Sequence, residues 1–158
     1  MKKIIAILAV AFITLGAAST ANAAKLNDRF CTVGLHTGAY QSNLGLGVNF
    51  DFNAGNWRGR LMLDGSNLFN DGYTIFAPAV DFHYLLNLVD GLSVYPIVGV
   101  NAVLCKDGFN LGPDLGAGIE YDFGRFGIFA EGKYQYHLLD TWFRGSHYNA
   151  VFGFTFDL

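Results

Sequence analysis

The 158-residue chain is short of charge, of long apolar runs and of cysteine. Charged residues make up 15% of it and hydrophobic residues 52%, where an ordinary soluble domain carries ~25% charged residues. No run of eighteen apolar residues occurs, so the sequence holds no membrane-spanning helix. No basic patch stands out, which argues against nucleic acid as a partner. Two cysteines, Cys31 and Cys105, allow one disulfide at most.

The amino terminus explains part of the apolar excess. Lys2 and Lys3 precede an apolar run from Ile4 to Leu15, and Ala21-Asn22-Ala23 fits a small-x-small cleavage site. This pattern predicts a secretory signal peptide over residues 1–23, and a single domain over 24–158. The twelve-residue run is too short for an anchor helix. Setting the two leader lysines aside leaves eight basic against thirteen acidic side chains.

Turn-forming residues divide the remainder into eight segments: Phe30–Tyr40, Asn43–Asn53, Trp57–Ser66, Tyr73–Asn87, Leu92–Cys105, Asn110–Phe123, Phe126–Leu138 and His147–Leu158. Within them the period is two, as in strands. In the second, Leu44, Leu46, Val48, Phe50 and Phe52 alternate with Gly45, Gly47, Asn49 and Asp51. In the last, Tyr148, Ala150, Phe152, Phe154, Phe156 and Leu158 alternate with smaller or polar residues. Elsewhere the pattern is less clean: Met62, Ile75 and Phe129 intrude into polar rows.

Alternation alone does not say which row faces inward, since a soluble barrel also alternates. Three features decide. The polar rows are Gly, Asp and Asn, with Lys133 the one lysine inside a strand; a watery surface would be rich in Lys and Glu. Aromatics gather near strand ends, as at Phe50, Phe52 and Trp57 and at Tyr121, Phe123 and Phe126, and aromatic girdles mark membrane interfaces. The segments are also long enough to span, which takes ~9–11 residues. The expected fold is an all-β, eight-stranded antiparallel transmembrane β-barrel, an up-and-down meander with apolar rows toward lipid. It must close, because unpaired backbone groups in lipid cost several kcal/mol each. Even strand number places both termini on the periplasmic side, with short turns there at Ala54-Gly55, Val89-Asp90-Gly91 and Gly124-Arg125.

The stretches "NLGPDLGAGIEYDFGRFGIFAEGKYQYH" and "HYLLNLVDGLSVYPIVGVN" resemble hairpins of small outer-membrane β-barrel proteins of the porin-like and opacity-like group, most like members from Bacteroidota. The resemblance implies a Gram-negative outer-membrane location and insertion by the barrel-assembly machinery. That machinery would read Phe152, Phe154 and Phe156 as the insertion signal, with Leu158 standing where the pattern favours Phe. The expected partners are thus outer-membrane lipid and that machinery, with the barrel itself a monomer.

The lumen is expected to hold a charge network of Asp51, Arg58, Arg60, Asp81, Asp114, Glu120, Glu131 and Lys133. A two-residue Ala54-Gly55 turn would set Asp51 directly across from Arg58. An eight-stranded barrel is just wide enough for its side chains, which favours a filled, salt-bridged plug and a non-enzymatic structural role. Glycines at 45, 47, 112, 116 and 118 would leave room for a narrow channel for water, ions or small solutes. An adhesion role would rest on outer-loop aromatics, Phe69, Phe109, Trp142 and Phe143, although such residues commonly anchor at headgroup level. A lipid A-modifying enzyme would need a serine, a base and a carboxylate together. Ser146 and His147 are adjacent and so point to opposite faces, and Asp140 has no serine placed between it and a base. No catalytic site is expected. Neither is a cofactor or metal, since His36, His83, His137 and His147 fall on separate strands without ligand spacing. Cys31 and Cys105 fall at opposite rims of the predicted barrel and are expected as free thiols.

Overall fold

The computed structural model describes residues 30–40, 43–66, 74–106, 108–139 and 144–158. The expected leader peptide, Phe69, Asp140, Trp142 and Phe143 lie outside the described residues. Nine strands are present among those described: β1 (Cys31–Tyr40), β2 (Asn43–Ala54), β3 (Trp57–Ser66), β4 (Ile75–Tyr84), β5 (Leu86–Val89), β6 (Leu92–Cys105), β7 (Gly108–Asp122), β8 (Phe126–His137) and β9 (Gly145–Asp157). Both β4 and β5 pair with β6, so they form one stave interrupted at Leu85. The result is a closed, eight-stranded, antiparallel meander. Pairing of β1 with β9 and of β4 with β6 leaves no edge.

The stagger can be read from the register. Cross-strand partners run from Asp157 through Thr32, Asp51, Arg60, Asp81, Gly99, Asp114 and Gln135 to His147. One circuit therefore returns to β9 ten residues from its start, which tilts the staves as closure requires.

The barrel is inside out relative to a soluble one. Leu61, Leu63, Val98, Val100, Leu115, Phe152 and Phe154 are exposed on its outer wall, while Arg60, Asp51, Asp81 and His83 have no exposed surface. Burying charges and exposing leucines is stable only when the outer solvent is hydrocarbon, so this is a membrane barrel. Aromatic pairs mark both rims. Trp57 packs on Tyr84 at 4.9 Å, and Phe123 on Phe126 at 4.7 Å, on the rim that holds the termini. Tyr134 packs on Tyr148 at 5.4 Å near the other.

One register expectation is corrected. Ala54 stays in the ladder opposite Trp57, so the turn is Gly55-Asn56, not Ala54-Gly55. Gly55 supplies the positive φ of 60° that a two-residue hairpin turn needs. Asp51 consequently faces Arg60, and Arg58 faces Asn53. The lumen is also less uniformly polar than the sequence suggested. Met62, Phe129 and Val151 form one buried apolar cluster with Ala79; Leu85, Tyr95 and Ile97 form a second.

Candidate functional site

The strongest concentration of chemistry lies in the lumen. Inward positions on β2, β3, β4, β7 and β8 bring all eight of the charged residues singled out above into the interior, each 5% exposed or less. Arg60 is central. Its Nε and Nη2 donate to the two oxygens of Asp51, each at 2.7 Å, and its Nη1 donates to Glu131. The guanidinium also lies 4.3 Å from the Phe129 ring centroid. Arg58 Nη1 donates to Glu120, and its Nε to Asn53 Oδ1 at 2.9 Å. Asp51 is 3.8 Å from Arg58 as well, and so ties the two arginines together. Lys133 bonds Asp81 and approaches Glu131 at 4.0 Å. Low local dielectric makes each such pair strong, and makes removal of one partner costly.

Several network members were not singled out from the sequence. Tyr95 donates its hydroxyl to Glu131 at 3.0 Å and stacks on His83 at 4.8 Å. His36 bonds Asp64, and its other nitrogen lies 3.2 Å from Asn49. Asn49 in turn donates to Asp51 at 3.0 Å. The parity that places Ser93 inward also places Tyr95 inward, and that was the available signal.

Asp114 stands apart. It is 1% exposed, and neither carboxylate oxygen has a hydrogen-bond partner. It faces Asp81 across Gly99, where a Cβ would overlap both carboxylates. The interior glycines are sockets of this kind. A Cβ on Gly47 would overlap His36 and Asp64, and one on Gly118 the Tyr95 ring, whereas one on Gly116 would first meet the Gly132 carbonyl oxygen. At Gly47 and Gly118 neighbouring side chains occupy the space that the sequence suggested for a watery path.

Ser146 lies outward with its Oγ 2.6 Å from the Tyr134 hydroxyl. The His147 ring packs 4.8 Å from that of His137, whose Nε2 bonds Asn101 in the lumen at 2.7 Å. No serine–histidine pair forms here. Among the described residues, no three His, Cys, Asp or Glu side chains converge on a possible metal position. Cys31 and Cys105 are both free.

No protein-family model and no curated protein matches the chain. Solved structures match its fold. The N-terminal β-barrel domain of Pseudomonas aeruginosa OprF is similar with a TM-score of 0.64 at 17% identity, over 81% of this chain and 96% of that one. Neisserial surface protein A gives 0.57 at 10% identity, over 81% and 94%. Ail, the attachment invasion locus protein of Yersinia pestis, gives 0.53 at 12% identity, over 81% and 96%.

Proposed function

We propose that this chain is an integral outer-membrane barrel with a structural, non-enzymatic role and a lumen closed by its own side chains. The observation that carries this reading is the continuous chain Glu120–Arg58–Asp51–Arg60–Glu131–Lys133–Asp81 across the interior. Moving ions through it would require parting buried charge pairs, each worth several kcal/mol when one partner is lost. The outer-membrane assignment draws on the inside-out wall and on the shared fold. Placement among the porin-like and opacity-like small barrels of Bacteroidota rests on the resemblance of its two hairpins. We assign it a leader peptide removed on export, a monomeric state in lipid, and insertion by the barrel-assembly machinery through Phe152, Phe154 and Phe156. All three of these side chains lie on the outer wall.

Planar-bilayer recording with purified, folded protein tests the closed lumen. The expected result is silence; steady unitary currents would overturn it. One observation favours a second reading, a narrow cation path. Among the described residues the lumen holds six carboxylates, the sixth being Asp64, against Arg58, Arg60 and Lys133, and neither oxygen of Asp114 has a hydrogen-bond partner. Under that reading the recordings show cation-selective currents that Asp114→Asn reduces.

A further inference from the structure

The chain has three prolines, Pro78, Pro96 and Pro113, and all three lie inside strands, in β4, β6 and β7. A proline has no N–H, so each deletes one rung of a ladder. Which rung follows from strand alternation. Leu85 N donates to Asn56 O at 2.7 Å, toward β3; even-numbered residues of that stave therefore bond toward β6. Pro78 would have donated to the Ala102 carbonyl, and Pro96 to that of Tyr84. Leu138 N donates to Leu111 O at 3.0 Å, so Pro113 would have donated to Tyr136.

The pairing breaks at each of these places. Between β4 and β6 it passes from Phe76–Leu104 to Ala79–Asn101, skipping Pro78. It stops at His83–Ile97 and resumes at Leu86–Val94, skipping Pro96. The β7–β8 register begins at Asp114–Gln135, just past Pro113. The other six seams pair without a gap. An unsatisfied backbone group in hydrocarbon costs several kcal/mol, so a gap facing lipid calls for a donor.

The Pro78 gap coincides with a groove on the wall. This groove, about 370 Å³, is lined by Pro78 and Ala102 themselves, with Leu61, Val80, Val100 and Leu111 around them. Those four are outward-facing and exposed. Pro96 instead pairs off at the aromatic rim beside Trp57 and Tyr84, where headgroups and water supply donors. The Pro78 groove thus combines an apolar bed with one backbone acceptor that has lost its ladder donor.

We propose that the Pro78–Ala102 gap is a binding site for a hydroxylated acyl chain of a membrane lipid. The methylenes lie along Leu61, Val80, Val100 and Leu111, and the chain hydroxyl donates to the Ala102 carbonyl oxygen. A plain acyl chain fills the groove but leaves that oxygen unsatisfied, so the site discriminates by a single hydrogen bond. The inference rests on the barrel standing in a membrane, as proposed above.

The test uses the folded barrel, isotope-labelled, in nanodiscs of two lipids that differ only by a hydroxyl on the acyl chain. The readout is the Ala102 carbonyl carbon resonance, which responds to hydrogen bonding on its oxygen. A second wall groove, lined by Leu46, Val48 and Leu63 on unbroken β2 and β3, provides an internal control at Val48. The expected result is a downfield shift at Ala102 that grows with the hydroxylated fraction, with Val48 unmoved. Pro78→Ala restores the rung, so it produces the shift without hydroxylated lipid and removes the response to it. No movement at Ala102 in a folded spectrum overturns the site, as does an equal movement at Val48. Failure to obtain a folded spectrum in either nanodisc overturns the membrane reading itself, and the site with it.

Discussion

Arg60 and Asp51 face each other across the β2–β3 ladder as a two-pronged guanidinium–carboxylate pair, both bonds 2.7 Å long and neither side chain exposed. Asp51 reached that position because the turn closes on Gly55 and Asn56. Arg60 also holds Glu131, so one side chain joins β2, β3 and β8 from inside. Replacing it with Met keeps most of the volume but leaves Asp51 with Arg58 at 3.8 Å and Glu131 with Lys133 at 4.0 Å. Arg60→Met should therefore destabilise the barrel by roughly 3–5 kcal/mol, the range for breaking a buried pair. Urea titration followed by the heat-dependent gel shift of the folded form measures it. A loss under 1 kcal/mol would mean that the network is wetter than its geometry indicates.

One lumen glycine, with an outer-wall glycine as its control, tests whether the lumen is packed or open. Gly118 faces the Tyr95 ring, and a methyl group there would overlap it. Gly118→Ala should destabilise by ~1–3 kcal/mol, as overpacking does, and Tyr95→Leu in the same chain should recover part of that. Gly59 has nothing within 4 Å of its would-be Cβ, so Gly59→Ala should be neutral or slightly stabilising. Equal effects at the two positions in the same unfolding assay would contradict the socket reading.

These cases also show how far the sequence could be read. In the cleanly alternating strands the face of each residue was legible because a period of two needs only parity, and parity survives small errors in turn placement. Partners were not. Moving a hairpin turn by one residue shifts every cross-strand partner by two, which is how Asp51 came to be expected opposite Arg58 rather than Arg60. The fifth predicted strand, "LSVYPIVGVNAVLC", is apolar on both faces over much of its length. Its inward members Tyr95 and Ile97 were therefore hidden, and the second apolar cluster with them. Glycines read as openings because a one-dimensional string does not show the neighbour that fills them; Gly118 against the Tyr95 ring is the clearest example. The interruption at Leu85 lies beside Pro96, a residue across the seam whose effect only the register reveals.

The cysteines report sidedness. Cys31 pairs with Phe52 at the rim that holds the termini, and Cys105 pairs with Gly108 at the opposite rim. Both are partly exposed thiols. If the termini face the periplasm, a membrane-impermeant maleimide added to intact cells should label Cys105 and not Cys31, while lysed cells should give both. Cys105→Ser should then abolish whole-cell labelling. Labelling of Cys31 in intact cells would invert the topology. A change in gel mobility on reduction would contradict the free thiols.

The last residue bears on assembly. Phe152, Phe154 and Phe156 form the outward row of β9, next to the β1–β9 closing seam, and Leu158 is 77% exposed at its end. Its backbone N is held only by a 3.4 Å contact to Cys31 O, so the terminal side chain contributes little to the finished fold. Leu158→Phe should accordingly leave the unfolding midpoint within about 0.5 kcal/mol of the parent, as for surface substitutions generally. If the assembly machinery reads the terminal aromatic, the same substitution should raise the fraction inserted in reconstituted assembly reactions. Phe156→Ala should lower it. Pulse–chase measurement of the heat-modifiable form separates the two effects. A shifted midpoint with unchanged insertion would assign the row to stability instead of recognition.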